Sequence, residues 1–297
     1  MKAKYLLMIT MAAIMAGALQ AQDIGAGHIH LKGTSTPTGF TSGTQAKFLW
    51  YPAKYAFRAG EWSWSGDPQS GFGNYSLAFG LKASATNAHS FAFGATNEEY
   101  EDEYPLLAAG TFSVAIGSGA YAGGTRSFSM GTVSYATGAH SFAFGSGWYD
   151  DEEELEYYGV KASGANSFAF GYYSRAWGTA SIAFGYQNTA NNAYSSAIGG
   201  YYNIASGNYA AALGGQYNRP NGTGSITLGG YWNISNGSHS LTAGYRNTAS
   251  YAYSAAFGWF SESKAESSFA AGRYLISRSR DAFVVGAYNA AISTVDD

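Results

Sequence analysis

Ser90-Phe91-Ala92-Phe93-Gly94 recurs unchanged as Ser141-Phe142-Ala143-Phe144-Gly145, and with one substitution as Ser181-Ile182-Ala183-Phe184-Gly185. The pattern is Ser, bulky, small, bulky, Gly. Its closing glycines are Gly80, Gly94, Gly117, Gly131, Gly145, Gly171, Gly185, Gly199, Gly214, Gly229, Gly244, Gly258, Gly272 and Gly286. Of the thirteen steps between them, eight are 14 residues and three are 15; the other two, of 23 and 26, are the same unit carrying inserts. A fixed period of this kind is the mark of a repeat architecture.

Period-2 alternation of bulky and small residues is a strand signal. A second, weaker half follows each glycine by three residues, as in Ser134, Ala136 and Gly138, or Ser174, Ala176 and Gly178. Two short strands and two turns fit into 14 residues, whereas helical repeats need 30 or more. The unit therefore reads as one coil of a parallel β-solenoid, in which only a stack buries a core. With strands about 4.8 Å apart, fourteen coils predict a rod of roughly 65 Å.

Glycine suits the tight corners, because it takes φ > 0 without a Cβ penalty. By hydrophobicity the bulky pairs are expected to fill the coil, for example Leu77 with Phe79, Val114 with Ile116 and Phe283 with Val285. The small residues Ala78, Ala92, Ala115, Ser129, Ala143, Ala169, Ala183, Ala197 and Ala212 would then form an outer stripe. Such a stripe suits either close approach by another sheet or a flat exposed strand.

Composition fits this reading. Glycine is 40 of 297 residues, nearly twice the usual share, and charged residues are 12% against a typical quarter or so. Aromatic residues at 17% exclude intrinsic disorder. The absence of cysteine excludes disulfides, cysteine-ligated metals and thiol chemistry. A formal charge of −3 offers no bulk attraction to nucleic acid.

The pentad at this spacing resembles the YadA-like head repeats of trimeric autotransporter adhesins, from about Asn74 to Asn289. The resemblance implies an all-β fold, a left-handed parallel β-roll of about fourteen 14–15-residue coils, assembled as a homotrimer. It also implies a non-enzymatic adhesin head, displayed extracellularly or on a bacterial cell surface, that attaches to host matrix, cells or surfaces through protein or glycan ligands. A complete member would continue into a coiled-coil stalk and a membrane anchor, whereas Asp297 follows Gly286 by eleven residues. A structural segment of a phage fibre or surface filament, and a carbohydrate-binding β-solenoid, are the alternatives.

Outside the repeats, Lys2 and Lys4 precede an apolar run from Tyr5 to Ala18, the layout of a secretory signal peptide over 1–21. Cleavage after Ala18 or after Ala21 fits equally. The run is short of the roughly 20 residues that span a bilayer, and the mature chain has no candidate transmembrane segment. Residues 22–46 read as a mobile leader. Residues 47–73, with Phe48, Trp50, Tyr51, Tyr55, Phe57, Trp62 and Trp64, read as an aromatic cap over the first coil, and 290–297 as a tail. The inserts, near 97–105 and 148–159, hold eleven of the 19 acidic residues; without the signal, the remaining chain has 14 basic residues against 8 acidic ones. Neither insert has the order of a calcium loop, so solvated loops are expected.

His89, His140 and His239 share one register, immediately before the pentad serine. His89 and His140 are three coils apart, roughly 14 Å, too far to share a metal ion. His28 and His30 lie in the leader. No non-repeating Ser/His/Asp set accompanies the many serines, and the glycine turns lack a P-loop lysine. No catalytic residue, metal or cofactor is assigned, and no nucleic-acid partner.

The candidate binding residues are two aromatic columns just past the closing glycines. One holds Tyr172, Tyr186, Tyr201, Tyr231, Tyr245 and Trp259; the other holds Tyr173, Tyr202, Tyr217, Trp232, Phe260 and Tyr274. Tyr and Trp combine apolar area with a hydrogen-bonding tip, which suits recognition. Stacking that merely stabilises neighbouring coils or a subunit contact is the alternative.

Overall fold

A computed structural model describes residues 50–60, 72–96, 106–147 and 159–288, and the backbone of the short strands at 19–21, 31–33, 38–40 and 47–49. The signal run, most of the leader, Trp62, Trp64, the acidic stretches 97–105 and 148–158 and the tail 290–297 lie outside the described residues. The chain divides into two compact units, one ending at Gly123 and the other beginning at Gly124. Both are all-β, and among the described residues the only helical element is the single 3-10 turn Pro52–Lys54.

In the first unit, Lys47–Tyr51 folds back through that turn onto Ala56–Gly60 as an antiparallel pair. Ala56–Gly60 then pairs parallel with Leu77–Leu81, the first of three pentad strands. Leu77–Leu81, Phe91–Ala95 and Val114–Ser118 stack in parallel and in register, Gly80 on Gly94 on Gly117. The short strands Ser84–Ala85, Leu107–Ala108 and Tyr121–Ala122 stack in the same way.

The second unit repeats the arrangement through eleven pentad strands, from Phe128–Thr132 to Phe283–Ala287, giving a β-solenoid with about fourteen coils in the chain. Every long strand pairs with the pentad strand one coil away, so equivalent residues lie on one another. The short-strand ladder divides between Ile204–Ala205 and Arg219–Pro220, where Pro220 has no N–H to contribute. Three coils carry a second glycine, Gly200, Gly215 and Gly230, and the register shifts on entering them, between Phe184 and Tyr186.

Most closing glycines are fixed by sterics as well as by φ, whereas Gly199, Gly214, Gly229 and Gly286 have room for a Cβ and are favoured by φ alone. Gly131 has φ +130°, and a Cβ there would lie 1.7 Å from the Gly145 carbonyl oxygen. Glycine is not used at every left-handed corner, however. The residue before the pentad takes φ near +55° to +60° as His89, Phe112, His140, Tyr194, Tyr209 and Tyr253. A left-handed conformation costs a non-glycine residue about 1–2 kcal/mol. Here it is held by bonds between coils, such as His140 N–H to Thr125 O and Tyr194 N–H to Thr179 O, both 2.8 Å.

The coil interior is the reverse of the hydrophobicity-based expectation. Ala78 is 3% exposed, and Ala92, Ala115, Ser129, Ala143, Ala169, Ala183, Ala197 and Ala212 are buried. Leu77, between Ser76 and Ala78, is 41% exposed, Phe93 54% and Phe283 73%. Phe79, Val114 and Ile116 are only half-buried, and Val285 is exposed. The reason is thickness. Two short strands joined by tight corners lie so close that Ser129 Oγ reaches Ser134 Oγ across the coil at 2.8 Å, and Ser235 Oγ reaches Thr242 Oγ1 at 2.8 Å. Small side chains fill that gap, mostly Ala and Ser with Thr227, Thr242 and Pro220 in the later coils, so the same alternation that marks the strand places its bulky members outside.

The core also contains a file of amides. Asn188, Asn203, Asn218, Asn233 and Asn247 are fully buried, one per coil. Each Oδ1 of the first four accepts the backbone N–H of the next asparagine, at 2.9–3.1 Å, and Asn247 Oδ1 accepts from Ser261. Each Nδ2 donates to backbone carbonyls at the corner. Asn203 Nδ2, for example, donates to Gly199 O and Gly215 O, both at 3.0 Å. The ladder spans the double-glycine coils and satisfies carbonyls at their irregular corners.

Candidate functional site

All twelve candidate residues lie in the second unit, on the corner that follows the pentad strand. In the first column, Tyr172 pairs with Tyr186 and Tyr186 with Tyr201. Gln216 then interrupts the column before Tyr231, Tyr245 and Trp259. Ring centroids are 4.8 Å apart for Tyr172 and Tyr186, 5.0 Å for Tyr186 and Tyr201, and 4.4 Å for Tyr245 and Trp259, all stacked. At the Gln216 coil, Tyr217 of the second column bridges the interruption, meeting Tyr201 and Tyr231 edge-on at 5.6 and 5.8 Å.

The second column consists of left-handed corner residues. Tyr173, Tyr202, Tyr217, Trp232, Phe260 and Tyr274 all have φ between +52° and +56°. Tyr202 stacks on Tyr217 at 5.4 Å and Phe260 on Tyr274 at 5.3 Å. Within this column the structure adds a residue absent from the candidate set. Arg246 lies between Trp232 and Phe260, its guanidinium carbon 5.1 and 5.5 Å from their ring centroids and 5.8 Å from that of Tyr245. Arg273 extends the first column beyond Trp259 and packs over Tyr274 and Tyr288 at 5.5 and 5.2 Å. The sequence signal for both was their register, which a search restricted to aromatics passes over.

Stacking determines what the corner can offer a ligand. Most ring faces are used against one another, so edges and hydroxyls are turned outward rather than flat platforms. Trp232, Trp259 and Tyr274 remain exposed. The Tyr201 phenol is held above its ordinary value, first by desolvation among the rings and then by the adjacent Tyr217, to which it is hydrogen-bonded. On the short-strand sheet, Lys161 is held below its ordinary value by burial and then by Arg175 one coil away.

Within each unit the described histidines lie at the corner that precedes the pentad strand, His89 in the first and His140 and His239 in the second. His89 is stacked between Tyr75 and Phe112 at 5.0 and 4.5 Å, and His239 on Tyr253 at 5.5 Å. His140 Nε2 is 3.3 Å from Arg126 Nη1. Tyr194 and Tyr209 stack at 4.9 Å in the same register. Some pentad serines brace their turns, as where Ser76 Oγ donates to Gly73 O at 2.8 Å and Ser240 Oγ to Gly237 O at 2.7 Å.

Repeating coils with this register define the chain as a parallel β-solenoid built from one pentad-bearing unit. Residues 73–96, 107–120, 122–147, 161–174 and 176–201 match the YadA head domain repeat (2 copies), and the chain thus contains a YadA-like head repeat region. The same pairing continues structurally beyond residue 201, to Phe283–Ala287. No curated protein matches the chain significantly.

Proposed function

We propose that this chain is a non-enzymatic adhesin head, exported and displayed at a bacterial surface as a homotrimer, with the corner columns contacting host or surface ligands. The observation that carries this reading is the outward apolar face of the pentad sheet. Phe128, Phe142 and Phe168 stack at 4.8–4.9 Å, and beside them Phe144, Phe170 and Phe184 do the same. Contiguous apolar patches of this kind mark interaction surfaces in soluble proteins, and fully covering one such side chain contributes about 1.5–3 kcal/mol. Three copies placing this face on a common axis would cover it. Three heads would also turn weak contacts into avid attachment.

Light scattering on purified residues 22–297 tests the assembly: a trimeric mass is expected, and a single-chain mass would overturn it. Glycan and matrix-protein arrays test the binding face. Replacing Tyr231, Trp232, Tyr245 and Trp259 with Ser is expected to abolish binding without changing the mass. A protein that binds nothing on such arrays would be a structural fibre segment instead.

A further inference from the structure

We propose that the corner from Trp232 to Tyr274 is a site for a linear anionic glycan, with Arg246 and Arg273 as its carboxylate- or sulfate-binding groups. The inference rests on the corner columns being the binding face and names the chemistry that they would select.

Both arginines are exposed, and both are held on rings rather than on carboxylates. Among the described residues neither takes part in an ion pair, whereas nearby Lys264 pairs with Glu262, and Arg280 with Glu266 at 3.1 Å. A guanidinium laid against aromatic faces keeps its in-plane N–H groups directed away from the rings, arranged for bidentate contact with an oxyanion. The surrounding charge favours an anion: residues 159–288 contain eight Lys and Arg against three Asp and Glu.

Spacing narrows the class. Arg246 and Arg273 belong to the coils closed by Gly244 and Gly272, with the coil of Trp259 and Phe260 between them. Two coil rises separate them by about 10 Å, which suits a polymer with an acidic group on alternate sugars. The Trp259 indole between the two cations, and the Tyr245 and Tyr274 phenols beside them, offer hydrogen bonds to sugar hydroxyls. A nucleic acid would call for a dense stripe of cations, and this corner has two. A peptide binding by strand addition needs an open sheet edge, and the long strands here are paired coil to coil along the column.

The test is a tryptophan-fluorescence titration of the full-length assembly with chondroitin sulfate, hyaluronate and neutral dextran, at low and high salt. Binding of at least one polyanion, weakened by salt, with none to dextran, is expected; both polyanions carry a carboxylate on alternate sugars and only chondroitin sulfate adds a sulfate, so tighter binding of chondroitin sulfate assigns a sulfate contact and equal binding a carboxylate one. Arg246→Gln with Arg273→Gln should weaken binding at least about tenfold, equivalent to ~1.4 kcal/mol, while Arg219→Gln on the short-strand sheet leaves it unchanged. Equal losses in both variants would reduce the effect to bulk charge and overturn the proposal. So would a changed mass in the double variant, which would make the corner a subunit contact. If the wild type ignores both polyanions but binds other ligands through Tyr231, Trp232, Tyr245 and Trp259, this inference fails and the adhesin reading stands. If those four residues are also dispensable for every ligand, the binding-face reading fails as well.

Discussion

Replacing Asn218 with Ala removes one rung of the buried amide ladder. Asn218 Nδ2 donates to Gly214 O at 3.1 Å and Gly230 O at 3.3 Å, and its Oδ1 accepts the Asn233 N–H at 3.0 Å. Gly230 O keeps a bond from the Gln216 N–H at 2.9 Å, so the groups left without their side-chain partner are Gly214 O and the Asn233 N–H. A buried polar group deprived of its partner costs about 1–3 kcal/mol, and two such groups predict a loss of about 2–6 kcal/mol. The control is Asn221→Ala. Its Nδ2 donates to Asn236 Oδ1 at 2.8 Å on the exposed surface, where water replaces the bond at a cost of about 0.5 kcal/mol. Urea unfolding followed by circular dichroism, at one fixed protein concentration because assembly is linked to stability, reads the difference. Equal midpoints for Asn218→Ala and Asn221→Ala would refute the reasoning, because the ladder would then contribute no more than a surface contact.

Asn218→Asp preserves the acceptor but buries a carboxylate facing carbonyl oxygens, so its folded-state pKa rises above the ordinary value. The unfolded chain then ionises first, and the variant's stability falls as pH rises above about 4; a pH-independent difference from wild type in urea titrations would contradict this. Gly131→Ala should prevent folding, since its Cβ would lie 1.7 Å from Gly145 O, whereas Gly214, with φ +73° and open space around it, should accept Ala for about 1–2 kcal/mol; thermal melts compare the two. Ala143→Leu overfills the thin coil and should destabilise by about 1–3 kcal/mol, while Phe144→Leu on the outer face should leave the monomer fold unchanged and alter only assembly, as read by light scattering. Removing the hydroxyl in Tyr217→Phe should bring Tyr201 back toward its ordinary phenol value, measured by ultraviolet difference titration. In the wild type, the raised folded-state value means that the unfolded chain loses its proton first, so this group's contribution to stability falls as pH rises above about 10.

Much of the columns' layout was readable before any coordinate. Twelve aromatics were placed in two columns from their offset to the closing glycines, and the structure places them at one corner. The register of Gln216 and Arg246 was equally readable, but their part in the columns was not, because an interruption bridged from the side by Tyr217 depends on side-chain reach. The asparagine ladder was visible as a recurrence at steps of 14 and 15 residues. Its purpose emerges only when the corner carbonyls of Gly199, Gly214 and Gly229 are seen to face inward onto Nδ2 atoms.

By itself the sequence determined that the chain is a stack of short parallel strands, where each coil begins and ends, and which residues share a column, because strand alternation and coil length are periodic and periodicity survives without coordinates. It did not determine which side of the strand faces in. Alternation in Phe142-Ala143-Phe144 is the same whether the phenylalanines or the alanine lie inside, and the usual preference for burying large apolar groups points the wrong way. The distance between the two sheets settled the matter: a gap that brings Ser129 Oγ within 2.8 Å of Ser134 Oγ has no room for a ring. Tertiary geometry therefore turned the small residues into the core and the phenylalanines into an outward surface.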